Sequence, residues 1–449
     1  MNMQNRGLIL TLTVITILFN ATGLSLAAQA PLSLDEVLAA ALKTNPAITE
    51  AQKRWEEKQN RVPLARALPN PKLGIMKDDI PTNSFNPLDG MMTEYTLSQE
   101  FMNPGKLDAM GKMAESDAAM SAAEYEAKKL DISTQVKQAY YDYLYNSQAV
   151  QIMQENQQLM KQLVDLAQIN YSTGMVALQD TLKAQTEVSK MDVEIASMGA
   201  MASAASGKVN TLMGRSANAP LSVKEVFRTT APTQTFDTLS KQSLSGPAVR
   251  GMEQQVEMAK NGVDLAKRLS NPDFELSLGR KSYKSMTTAG PADPSMGGMP
   301  GPDVTTRQPS TWSIGVMAMI PLWGDKNQAE VKSANSNLEA SQAALQNMKN
   351  MQAMDIQMAL SDAQAYWRQI ELYQKVVIPQ SEATYQAAIV GYGSGKVDMM
   401  DMLEGVNTLR NAKLALYKAK VEYEKAMANL EKAVGKAPEA PKLEMANKE

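Results

Sequence analysis

Two stretches, Tyr171-Ser-Thr-Gly-Met-Val-Ala-Leu-Gln-Asp180-Thr-Leu182 and Tyr392-Gly-Ser-Gly-Lys-Val-Asp-Met-Met-Asp401-Met-Leu403, decide how this chain is read. Tyr, Gly, Val, Asp and Leu recur in register at an offset of 221 residues. Upstream, Asn45-Pro46-Ala-Ile and Asn70-Pro71 are answered by Gly246-Pro247-Ala-Val and Asn271-Pro272 at an offset of 201. A period of about 200 residues is too long for a solenoid unit, so the chain is a duplicated half-molecule. The first repeat covers residues 31–235 and the second 236–436, followed by a tail at 437–449.

Each half reads as helix, strand pair, very long helix and return helix. In the first half, helices are expected over Leu34–Lys43 and Pro46–Leu68, with Asn45 as the cap before a proline at the first helical position. Pro63 should bend the second of these or stop it early. Leu107–Asn170 then runs without proline, the Gly174 motif turns the chain, and Leu182–Met213 returns. The matching pieces are Pro247–Leu269, Asn327–Val390 with a kink expected at Pro379, and Leu403–Val434. Along the return helices, Val188, Met191, Ile195, Met198, Ala202, Ala205, Val209 and Leu212 step by three and four, and so do their counterparts 221 residues on, Leu409 to Ala433. All sixteen positions are apolar. This is a coiled-coil seam on an otherwise polar helix.

Between the helices lie four segments of strand period. They are Pro71–Asp79, Glu94–Phe101, Asp273–Leu278 and Thr311–Ile320, each near the length of a tilted membrane-crossing strand. Their polar positions include Glu94, Glu100, Asp273 and Glu275, as expected of a wet lumen opposite a lipid face. Ile80–Gly90 and Lys284–Ser310 read as hairpin loops. Four strands are too few for a membrane barrel, whose minimum is about eight, so the barrel must be shared between chains.

Composition narrows the function. The net charge is −3, which offers no basic footprint for nucleic acid. The chain has no His and no Cys, which removes imidazole bases, thiol nucleophiles, disulfides and zinc sites built on them. No nucleophile, base and oxyanion donor are placed together, so neither an enzyme nor a cofactor is expected. Arg6, the apolar run Leu8–Phe19 and the small residues at Ala27–Ala30 read as a cleaved export signal over 1–27. No later run is long and apolar enough for a spanning helix.

With these features in place the sequence resembles the TolC family of outer-membrane efflux channels. The resemblance rests on Asn45-Pro46, Asn70-Pro71 and the paired Tyr-x-x-Gly-x(5)-Asp-x-Leu tips, and covers nearly all of the mature chain. It implies a mainly α fold with a membrane β part: a homotrimer whose 12-stranded β-barrel in the outer membrane continues as an α-helical tunnel in the periplasm. Its partners would be outer-membrane lipid, a periplasmic adaptor and an inner-membrane pump. Tyr171, Gly174, Leu178, Tyr392, Gly395 and Met399 would face the adaptor at the tips. The family's acidic pore constriction maps onto Asp401 and Glu404, one helical turn apart. Where relatives often carry an Arg that ties the tip shut, this chain has Val397 beside Lys396, leaving Lys396 and Asp180 as the latch candidates.

Methionine is abundant, at 32 residues. Met296 and Met299 in the outer loop and Met400 and Met402 at the tip are candidate soft-metal ligands, set against the use of Met as a core filler. The segment Ser98–Lys106 also looks like members associated with heavy-metal efflux. The resulting expectation is a passive exit duct, with heavy-metal cations as candidate cargo. The alternative is an exported coiled-coil scaffold or adhesin.

Overall fold

In a computed structural model, residues 30–291, 294–297 and 301–435 are described. The export signal, the residues around its cleavage site up to position 29, the tail and Met299 lie outside them, as does the side chain of Met296.

The first half opens with α1 (Leu34–Thr44) and α2 (Pro46–Arg66). Ser33 and Glu36 form a reciprocal capping box on α1. Asn45 works twice: its oxygen caps α2 at Ala47 N, and its amide donates to Leu212 O at 3.0 Å, joining the start of the repeat to its end. Pro63 does not stop α2 at once; the helix continues to Arg66. Strands β1 (Lys72–Asp78) and β2 (Met92–Phe101) follow. Then α3 (Pro104–Ser172) runs for 69 residues, roughly 100 Å, and α4 (Leu178–Leu212) returns about half that distance.

The second half adds a short helix absent from the sequence reading, α5 (Phe236–Ser243), before α6 (Pro247–Arg268). It then gives β3 (Asp273–Tyr283), β4 (Met286–Gly290), β5 (Gly301–Thr306) and β6 (Thr311–Met319). The expected loop Lys284–Ser310 is thus built around a hairpin, β4 against β5, which forms a sheet of its own. The long helix is α7 (Gly324–Leu372), a π-helical turn at Tyr373–Val377, and α8 (Ile378–Gly393). The irregularity expected at Pro379 is therefore absorbed one turn earlier, in a π turn that accommodates the missing N–H. The last helix is α9 (Met399–Val434), closed by Gly435 in the left-handed conformation.

The four long strands form one antiparallel sheet in the order β1-β2-β3-β6. Its register separates two faces. Tyr95, Leu97 and Phe101 align with Leu73, Ile75, Phe274, Leu276, Leu278, Ile314 and Val316 on an exposed apolar face. The opposite face carries Lys72, Glu94, Glu100, Asp273, Glu275 and Lys281, with Lys281 3.8 Å from Glu94 and Lys72 within 3.9 Å of both Glu100 and Glu275. At the base of the sheet, buried Lys106 binds Asp273 at 2.7 Å and Asn271 O at 2.9 Å, tying the first turn of α3 to the start of β3.

Helix neighbours follow the strand order. Near the sheet the wall runs α2-α3-α6-α7; farther away it runs α4-α3-α9 and then α7 with α8. Each layer has a free edge on both sides, as the sheet does at β1 and β6.

All eight α4 seam positions are buried or half-buried, in line with a single-seam helix. For α9 the narrow-seam reading needs correcting. Besides Leu409, Ala412, Ala419, Tyr423, Ala426 and Leu430, a second row comprising Tyr417, Val421, Glu424, Ala428 and Glu431 is buried. The chain between α4 and α5 covers this second face. Val223 bridges Leu32, and the hydroxyls of Tyr143 and Tyr423 donate to Leu221 O and Thr230 O. Arg228 reaches inward to Glu424 at 2.8 Å and Glu431 at 2.7 Å.

Candidate pore mouth at the helical tips

The two tips repeat down to their hydrogen bonds. At the α3–α4 turn, Gly174 has φ +76°, its N–H bonds Tyr171 O at 2.9 Å, and Met175 N bonds Asn170 O at 2.9 Å. At the α8–α9 turn, Gly395 has φ +66°, its N–H bonds Tyr392 O at 3.0 Å, and Lys396 N bonds Gly391 O at 2.9 Å. Each is a left-handed glycine closing a helix so that the next can start within a few residues. One difference is local. A Cβ on Gly391 would lie 2.4 Å from Val397 Cγ2, so Val397 folds back onto the helix end only because residue 391 is glycine.

Burial then separates the two tips. Tyr171, Gly174, Leu178 and Gly395 are exposed. Tyr392 and Met399 are buried, at 4% and 0% exposure, and present no surface to a partner. They belong to a core formed where α9, with α8 against it, packs on α3 and α4, with Met153, Met160, Met191, Met402, Leu403 and Val406. α4 lends Met191 to this core but leaves its own tip residues outward. Met402, a candidate ligand, is therefore a packing residue here, whereas Met400 is exposed. Burial raises the pKa of the Tyr392 hydroxyl, and Asp180 reinforces the shift.

Asp401 and Glu404 are both exposed on the first turns of α9. A third carboxylate, Asp398, caps that helix by accepting from Asp401 N at 2.9 Å. Its place three residues ahead of Asp401 was the available sequence signal. Glu404 and Met400 also line a groove of about 780 Å³ between α4 and α9, opposite Leu182, Lys183 and Lys190. The latch candidates do not meet within one chain. Asp180 lies 4.0 Å from Lys183 on its own helix, and Lys396, exposed, has no carboxylate within 4.0 Å among the described residues.

Comparison with known proteins gives this geometry a family. The family model for the outer membrane efflux protein matches residues 37–215 and 239–436, one segment in each half. The chain is 22% identical over 396 residues to the cobalt-zinc-cadmium resistance protein CzcC of Cupriavidus metallidurans, covering 86% of each sequence. It is 21% identical over 444 residues to outer membrane protein TolC of Escherichia coli, covering 95% of this chain and 87% of that one. Among solved structures, the outer membrane protein VceC of Vibrio cholerae superposes with a TM-score of 0.72 at 19% identity, over 90% of this chain and 96% of that one.

Proposed function

The chain belongs to the outer membrane efflux protein family, and from that premise we propose that three copies assemble a passive exit duct fed through the tips by a periplasmic adaptor and an inner-membrane pump. As an efflux channel of the outer membrane it is set apart from the scaffold or adhesin alternative. The observation that carries the trimer is the pair of unpaired edges. β1 and β6 each pair on one side only, and the helical layers end in free edges directly below them. Three copies joined β6 to β1 make twelve strands, above the minimum of about eight for a membrane barrel. The same closure sets α8 of one copy beside α4 of the next. A latch from Lys396 to Asp180 would then form between copies rather than within one.

We propose heavy-metal cations as cargo. Support comes from the likeness to a cobalt-zinc-cadmium resistance protein and from Asp398, Asp401 and Glu404 at the start of α9. Repeated by threefold symmetry, these carboxylates form acidic rings that attract cations and repel anions. The adaptor would rest on the exposed tip residues Tyr171, Gly174, Leu178 and Gly395.

Conductance of the purified protein in planar bilayers tests the acidic mouth. The combined variant Asp398→Asn, Asp401→Asn, Glu404→Gln keeps the helix cap, since Asn caps about as well as Asp. Its cation-over-anion preference is expected to fall with single-channel conductance retained. An unchanged preference would remove the carboxylates from the pore. For cargo, a strain lacking the protein should become more sensitive to cobalt, zinc or cadmium and regain resistance on complementation; unchanged sensitivity would reject metals as cargo.

A further inference from the structure

The apolar face of the sheet carries a cation without a counter-charge. Cross-strand register sets Ile75, Tyr95, Arg280 and Trp312 in one row of that face. The row toward the helices is Leu73, Leu97, Leu278 and Ile314; the row toward the hairpin is Lys77, Thr93 and Ser282. Arg280 thus stands seven residues above the base of β3, one row below the polar rim, with an aromatic residue on each neighbouring strand. Its guanidinium carbon lies 5.7 Å from the centroid of the Trp312 ring.

The other cations of the sheet are engaged. Lys72 and Lys281 lie within 3.9 Å of carboxylates on the opposite face, and Lys77 donates to Gly90 O at 3.2 Å. Arg280 has no carboxylate within 4.0 Å and no hydrogen-bond partner among the described residues, and it is exposed. Beside it is a depression of about 410 Å³, with Leu73, Leu97 and Leu278 among its lining and Tyr95 and Trp312 as walls. A charged side chain facing lipid is costly at mid-bilayer and tolerated at the interface, where aromatic residues collect. An unneutralised guanidinium at that level is matched by a phosphate, which it binds through paired N–H donors.

We propose that Arg280, set between Tyr95 and Trp312, binds the phosphate of a phosphorylated glycolipid in the outer leaflet of the outer membrane, whose acyl chains lie over Leu73, Leu97 and Leu278. The occupant is a lipid because the depression opens on the face that meets the bilayer and because apolar side chains surround the single charge. The inference depends on the outer-membrane location of the chain and is independent of its cargo.

The test uses detergent-purified full-length channel, titrated with bisphosphorylated lipid A, with the same lipid after enzymatic dephosphorylation, and with inorganic phosphate. Native mass spectrometry reads bound lipid and thermal unfolding reads stabilisation. Bisphosphorylated lipid A is expected to bind and raise the Tm, dephosphorylated lipid to bind at least about tenfold more weakly, and inorganic phosphate to leave the Tm unmoved. Arg280→Gln should weaken lipid A binding about tenfold, the loss of one charge-assisted contact, and Arg280→Lys should restore part of it. Equal binding of the two lipids, a shift with inorganic phosphate alone, or undiminished binding by Arg280→Gln would each overturn the proposal. The two lipids are compared on the unaltered protein, so the test stands even if Arg280→Gln fails to assemble.

Discussion

Arg228 sits where two buried carboxylates converge, and that arrangement fixes what its loss should do. Glu424 and Glu431 are 2% and 6% exposed, and Lys137 reaches Glu431 from α3 while Arg228 reaches both. Burial pushes the Glu424 carboxyl above its usual range, and Arg228 is the main influence opposing that shift. Arg228→Met keeps the backbone N–H bond to Glu424 but removes its opposite charge, a change that costs roughly 3–5 kcal/mol. The sign with pH follows. A carboxyl whose folded pKa lies above its unfolded value favours the fold in acid and disfavours it as pH rises through the folded value. The variant should therefore unfold at a lower temperature than wild type at neutral pH, and the gap should narrow as pH falls through the raised Glu424 value toward the ordinary carboxylate range. A gap independent of pH in thermal unfolding would mean that the buried charge is not its cause.

A second residue-scale case is Gly391. Alanine there would press on Val397, so Gly391→Ala should destabilise the tip by about 1–3 kcal/mol. Amide exchange across residues 385–405 should quicken while the rest of α3 keeps its protection. Exchange unchanged at the tip would show that Val397 has room to move. The sequence carried this site only in part. The tip motif was legible because left-handed turns demand glycine, but Tyr171 and Tyr392 occupy the same motif position and differ in burial. Which one is covered depends on how α8 and α9 pack against α3 and α4, which the local pattern does not contain.

At the scale of elements, long periodic helices and alternating strands were readable, since each repeats one signal many times. Irregular or short pieces were not. α5 spans 8 residues, too few for a periodic signature. The segment between α4 and α5 has no period, yet it covers a face of α9. Glu424 and Glu431 look like solvent-facing carboxylates until their seven-residue spacing is set beside Tyr417, Val421 and Ala428, which complete a second buried row. The β4–β5 hairpin was hidden in a Gly- and Pro-rich stretch that reads as loop. Because among the described residues it pairs only with itself, apart from the main sheet, replacing residues 286–306 by a short Gly/Ser linker should leave the heat resistance and conductance of the assembled channel close to wild type. Loss of assembly would mean that the hairpin takes part in closing the barrel.

For the whole molecule, a single chain has an exposed apolar sheet face, a polar face opposite it, and free edges from top to bottom. These features are liabilities in an isolated chain, where an unpaired strand edge invites association. They become a lipid-facing surface, a wet lumen and three identical seams once copies close a ring. The duplication visible in the sequence supplies half of this symmetry within the chain, and assembly supplies the rest. The buried Lys106–Asp273 contact makes the junction of sheet and helix firm in each copy, so closure of the strands carries the helices with it.

The most direct measurement is electron microscopy of the full-length protein purified in detergent. It should show particles with threefold symmetry, twelve strands above twelve helical positions, and a channel running along the axis. A single compact chain without a central hole, or a ring of another order whose seams do not join β6 to β1, would contradict the account.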